Sequence, residues 1–175
     1  SQRFDAATRG KPVHPDIMKS ILQVGAWMGG KGAFDWFKQR LATAQSEHER
    51  MNVLTALGSF REAGSLHEAR KYILDEVPDR NKFVSICHMA LNPSAIPHMW
   101  EWFLANLEAL ERLHPIHFER VVAGIVPVCG IGRQEQVEAF FEDYMRRKNR
   151  AGETIRMALE KLAIHSRMKG SPAGS

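Results

Sequence analysis

Cysteine and tyrosine are nearly missing from this chain, with two of each in 175 residues. Two thiols, Cys87 and Cys129, provide no disulfide framework, and without a Cys-x-x-Cys there is no thiol pair to seat a metal or run redox exchange. Both lie in or beside apolar segments and read as buried small hydrophobes. No apolar run is long enough to span a bilayer. No strand signal of any length occurs: the one β-branched cluster, Val121 to Val128, has helical spacing. No Gly-x-x-x-x-Gly-Lys-Ser/Thr loop is present, and Gly29-Gly30-Lys31-Gly32 follows no strand, so it is not a phosphate cradle. No serine sits in a nucleophile elbow. The zinc motif His-Glu-x-x-His starts at His48-Glu49 and at His67-Glu68 but fails at Asn52 and Lys71. Two imidazoles must sit one helical turn apart to converge on zinc, so neither stretch qualifies. His114-Pro-Ile-His117 lacks a third ligand. These absences argue against a self-contained active site, and the chain itself is expected to hold no cofactor.

Helix periodicity is abundant. Ser46 and Glu49 have capping-box spacing, and Met51, Leu54 and Leu57 follow every three residues. Gly58 ends that helix and lets Phe60 fold back; Gly64 and Ser65 open the next, with Leu66, Ala69, Tyr72, Ile73 and Val77. Upstream, Pro15 suits a helix start, and Ile17, Ile21, Val24 and Met28 form the predicted core stripe before the glycines break the chain. Phe34, Phe37 and Leu41 continue in a second helix. Further on, the pattern predicts a helix over 79–92 with Phe83, Ile86, Cys87 and Ala90 inward. Another carries Met99, Trp102, Phe103, Leu107 and Leu110, widened by Trp100 and Leu104. A third runs from Pro115 until Pro127 and Gly130 stop it; the last two hold Val137, Phe140, Phe141 and Tyr144, then Ile155 to Leu162.

Helix pairs begin near 15, 46, 80, 115 and 150, a period of 31 to 35 residues. The expected fold is therefore all-α: about nine helices in antiparallel pairs, stacked as a HEAT/armadillo-like α-solenoid with a concave face. Residues 1–14 read as a lead-in, 15–169 as the helical-repeat domain, and 170–175 as a disordered tail. Charge is uneven. Residues 146–169 hold eight bases against two acids, a net +6, within a chain of net +4. A basic last helix could meet a carboxylate, a phosphate or an acidic surface. Aromatic–basic interleaving is missing, which argues against nucleic acid.

Several phrases carry a resemblance. Pro15-Asp16-Ile17-Met18 leads through Gly25 and a glycine turn to Trp36-Phe37. Ala56-Leu57-Gly58-Ser59-Phe60-Arg61-Glu62 closes a helix. Ala90-Leu91-Asn92-Pro93 precedes Trp100-Glu101-Trp102-Phe103-Leu104-Ala105-Asn106, and Glu135 to Phe141 precedes the closing helix. Together these resemble the C-terminal helical domain of the gluzincin zinc aminopeptidases, the family of aminopeptidase N, the puromycin-sensitive enzyme and the endoplasmic reticulum aminopeptidases. The chain departs from that pattern at Ser94-Ala95, at Asp79-Arg80-Asn81-Lys82 and at Gly130-Ile131. The resemblance implies a non-catalytic domain that closes over the active site of a catalytic domain of the same polypeptide. That domain, not this one, would hold zinc. It also implies a bowl-shaped cavity that limits entry of peptide substrate. Arg146, Arg147, Arg150 and Arg156 are the candidates for facing that cavity and meeting a peptide carboxylate. A cytoplasmic location is the default expectation. A stand-alone α-solenoid scaffold is the alternative, and the two differ in a surface feature: an aminopeptidase domain needs an apolar flank near its first helices for the rest of the enzyme to cover.

Overall fold

A computed structural model describes residues 15–170 and Arg9 of the chain. Nine helices and no strand occur among the described residues. The helices are α1 (Pro15–Thr43), α2 (Glu47–Leu57), α3 (Ala63–Asp75), α4 (Asp79–Met89), α5 (Ile96–Ala105), α6 (Leu107–Glu111), α7 (Pro115–Cys129), α8 (Gln134–Arg147) and α9 (Gly152–Gly170). They fall into two compact units, divided between Ala95 and Ile96. The all-α class is as the periodicity predicts. The lead-in over 1–14 lies outside the described residues apart from Arg9, which is exposed in a turn; of the tail, Gly170 ends α9 and 171–175 lie outside.

In the first unit, α1 is two helical segments joined at Gly30, whose φ of 48° and ψ of −132° suit only glycine. The break falls where the glycines predict it. The packing face before it does not. Ile21, Leu22, Gly25 and Ala26 are buried, while Ile17, Val24 and Met28 of the expected core stripe are exposed. The segment 17–28 has polar side chains only at Lys19, Ser20 and Gln23, so both of its faces are apolar and periodicity alone does not choose between them. The small Gly25 and Ala26 face inward on the helix that packs most extensively against α2. Beyond Gly30, Phe34 and Phe37 meet the Phe60 ring edge-on at 5.9 Å each.

Helix α2 is the centre of this unit, packed on α1 and α4. Ser46 caps it by accepting from the Glu49 N–H at 3.1 Å. The reciprocal half of the capping box is displaced by one residue, because the Glu49 carboxylate accepts from the Gln45 N–H at 3.0 Å. Glu49 also pairs with Arg40, which ties the start of α2 to the end of α1. At its other end α2 is bonded to α4 and the turn behind it. The buried Ser85 hydroxyl donates to the Leu54 carbonyl at 2.6 Å. Asn92 donates to the carbonyls of Gly58 (2.9 Å) and Phe60 (2.7 Å) and accepts from the Ser94 N–H (3.0 Å). These bonds rotate α4 so that Val84, Ser85, Ile86 and Met89 point inward, leaving Phe83 and Cys87 half-buried instead of leading the core.

The second unit is built on aromatic rings. Trp100, Phe103, Phe118, Phe141 and Tyr144 are fully buried. Trp100 stacks on Phe103 at 5.6 Å and meets Phe140 edge-on at the same distance. Trp100, not Trp102, is thus the deep anchor of α5. Asn106 separates α5 from the short α6, where one longer helix was expected; its side chain donates to the Trp102 carbonyl at 2.8 Å. Helix α7 runs past Pro127 to Cys129. The Pro127 carbonyl accepts from His165 Nδ1 at 2.8 Å, one of the bonds joining α7 to α9, its most extensive neighbour. Neither cysteine enters a disulfide.

Candidate functional site

The four arginines singled out by charge do not form one cluster. Arg146 and Arg147, in the last turn of α8, both turn back onto Asp143, at 2.9 and 2.6 Å. Such i,i+3 and i,i+4 pairs on an exposed face are weak, and they leave both guanidiniums in contact with water. Arg156 is exposed on α9 and makes no ion pair among the described residues. Arg150 points inward. It donates to the backbone carbonyls of Glu111 and Leu113, the latter at 3.1 Å, and lies 4.6 Å over the Phe118 ring. Those carbonyls lie at the last residue of α6 and in the turn that follows it, so Arg150 caps the end of α6 from the α8–α9 loop. Next to it, Ala151 has a φ of 55°, a left-handed conformation that costs a non-glycine residue free energy.

Glu111 is the acid that balances this basic junction. Its carboxylate accepts from Tyr144 (2.8 Å) and from Lys148 (2.6 Å to each oxygen). Burial works to raise its pKa, but the hydrogen bonds from Lys148 and Tyr144, with the charges of Lys148 and Arg150, reverse that and hold it below the ordinary carboxyl value. Burial, then the bond to Glu111, pushes the Tyr144 hydroxyl well up, so it stays a donor. Sequence reading missed Glu111, since its partners lie 33 to 39 residues further on.

A second surface lies on the first unit. Ile17, Val24, Trp27 and Met28 stand exposed on the outer face of α1, with Met28 67% and Trp27 39% accessible. Beside them a groove of about 390 Å³ runs between α1 and the end of α4, walled by Val24, Trp27, Leu91 and Pro93. Its polar margin is Gln23, which donates to the Ser59 hydroxyl at 3.5 Å, with His88, whose Nδ1 is 2.9 Å from the Val84 carbonyl. The Arg61 guanidinium covers the Trp27 ring at 5.7 Å.

The donor set for a catalytic metal does not assemble among the described residues. Asn52, where a second zinc-binding histidine would stand, is buried in α2. His114 Nδ1 instead accepts from the Ile116 N–H at 3.3 Å and caps α7. Among the described residues no three His, Cys, Asp or Glu side chains converge as metal ligands. A larger open cleft of about 750 Å³, at the α7–α8 loop and the end of α9, is lined by Arg133, Glu135, Glu138 and Lys169. Arg133 there pairs with Glu101, so charges of both signs offset one another.

What remains is a helical domain with an apolar flank, a partly neutralised basic junction and no catalytic constellation among its described residues. Residues 1–164 match the profile of the ERAP1-like C-terminal domain. The chain belongs to the ERAP1-like C-terminal domain family. It is therefore a C-terminal domain of the aminopeptidase kind. No curated protein gives a significant match. Membership in this family agrees with the resemblance read in the helix junctions. It also makes sense of an all-α domain whose described residues lack the zinc motif and whose helix α1 carries an exposed apolar face. None of the described helices is long and apolar enough to cross a membrane.

Proposed function

We propose that this chain is the non-catalytic C-terminal domain of a zinc metalloaminopeptidase. In this reading it closes over the active site of the catalytic domain and walls the cavity that admits peptides. The observation that carries the reading is the family match across residues 1–164. The exposed apolar flank on α1 supports it over a stand-alone scaffold, because a large exposed apolar patch marks a surface that another part of an assembly covers. Zinc and the residues that hold it belong to the catalytic domain; this chain contributes shape and charge. Arg146, Arg147 and Arg156 keep solvent-facing guanidiniums that can attract a peptide carboxylate, whereas Arg150 is already occupied by backbone carbonyls.

The test is charge reversal in the enzyme carrying this domain, with Arg146→Glu, Arg147→Glu and Arg156→Glu combined. The expected result is a fall of roughly tenfold in kcat/KM for peptides of about ten residues, one factor of ten being about 1.4 kcal/mol of lost interaction. A single aminoacyl amide, too short to reach the domain, should be cleaved as before. Unchanged kinetics on the long peptides would remove these arginines from the cavity. A polypeptide with no aminopeptidase activity at all would refute the wider reading.

A further inference from the structure

Helices α1 and α3 meet at a corner of two aromatic rings. Phe34 is buried, and its ring meets that of Tyr72 edge-on at 5.9 Å, with the two planes 88° apart. The buried Phe60 ring packs against Phe34, also at 5.9 Å, and fixes its plane. A recess of about 230 Å³ opens beside the corner. Its other walls are charged. Glu68, Asp75 and Glu76 stand on the Tyr72 side at helical spacing from that residue. Lys38 follows Phe34 by one turn of α1, and Lys71 completes the lining. None of these five charged side chains enters an ion pair among the described residues. Asp35 and Arg40 on α1 and Arg70 on α3 carry the next charges along the two helices and do not line the recess. The Lys38 ammonium already uses the corner. Its Nζ lies 5.6 Å from the centre of the Phe34 ring and 5.3 Å from that of Tyr72, both within reach of a cation–π attraction. Lys38 is exposed, and at an exposed site that attraction is weak enough to yield to a competitor. Burial, then the charge of Glu76, pushes the Tyr72 hydroxyl above its ordinary pKa, so the ring stays a neutral phenol.

We propose that this corner is a binding site for a small organic cation, an ammonium bearing methyl groups, and that Lys38 is its built-in stand-in while the site is empty. The site is independent of the aminopeptidase reading. Three features select that chemistry. Two ring faces attract a cation whose charge is spread over methyl groups and which gives up its water readily. A compact metal ion would need converging oxygen ligands, and no three acids converge in that way among the described residues. The lining carboxylates outnumber the lysines by one, and by two once Lys38 swings out, so the field of the opened recess favours a cation.

The two tyrosines of the chain provide the test. Tyr72 lines the recess, and Tyr144 is fully buried in the other unit and serves as the internal reference. The chain carrying isotope-labelled tyrosine is titrated with choline chloride at constant ionic strength and followed by NMR of the tyrosine rings. The expected result is a saturable shift of the Tyr72 resonances with Tyr144 unmoved. Sodium chloride and dimethylbutanol, the neutral carbon isostere of choline, should leave Tyr72 in place. Apparent affinity is reduced by the fraction of chains whose site is already filled, so Lys38→Gln should bind choline roughly threefold or more tighter. Lys71→Gln removes the same charge from the lining without removing the occupant, and it should tighten binding less. A shift that never saturates, or no shift, overturns the site. An equal response to the neutral isostere makes the corner an apolar recess and overturns the cation site. Ammonium chloride as effective as choline refutes the preference for methyl groups. Equal effects of the two lysine variants refute the stand-in role of Lys38.

Discussion

Gly58→Ala is the sharpest perturbation of this fold. Gly58 has a φ of −81°, so it is not needed for a left-handed turn. A Cβ at this position would lie 2.7 Å from the Met89 nitrogen, 2.9 Å from the Ser85 carbonyl oxygen and 3.1 Å from the His88 carbonyl carbon. All three are backbone atoms of α4, so no rotamer change relieves the clash. The helices must separate. Overpacking of this kind costs about 1–3 kcal/mol. Separation also stretches the Ser85 bond to Leu54 and the two Asn92 bonds to Gly58 and Phe60, each a buried bond with a net worth of about 1 kcal/mol. The expected total is roughly 2–4 kcal/mol, or a fall in Tm of about 5–15 °C for a chain of this size. Gly32→Ala is the control. Nothing lies within 4 Å of a Cβ there, and the position is inside helical backbone, so it should stabilise by about 0.5–1 kcal/mol. Circular dichroism at 222 nm followed against temperature and urea reads both. A Gly58→Ala variant as stable as the parent would refute the claim that α2 and α4 meet backbone to backbone.

Arg150→Met should cost about 2–3 kcal/mol, because it unpairs the Glu111 and Leu113 carbonyls, while Arg156→Met on the exposed face of α9 should cost under about 0.5 kcal/mol; urea midpoints compare them. Glu111 contributes stability that is present above pH 4.5, its ordinary value, and is lost as pH falls through its lowered folded value. Glu111→Gln should therefore be less stable than the parent at pH 7 and lose that deficit towards pH 3, which unfolding at the two pH values checks; a deficit that persists in acid would contradict the charge origin. Burial pushes the Cys129 thiol up to about 12, so at pH 8 it should react with a disulfide reagent only once the chain is unfolded. Peptide mapping of the labelled cysteine tests this, and fast native labelling of Cys129 would place it at the surface.

The sequence by itself determined the helical class, the helix order and most of the boundaries. Period-3.6 patterning and capping chemistry act within one or two turns, so Ser46, Gly30 and Pro115 can be read without knowing their neighbours in space. It also carried the family resemblance, which lies in short phrases at helix junctions. Tertiary structure decided which apolar face of α1 is inside, that Trp100 and not Trp102 anchors α5, and that Arg150 is a cap while Arg156 stays in water. It decided as well that Gly58 is a point of close approach more than a helix stop. Each outcome depends on partners far along the chain: Asn92 lies 34 residues from Gly58, and Arg150 lies 39 from Glu111. A local pattern states how much of a residue is apolar or charged. Only the packed chain brings up the atoms that settle what that residue touches.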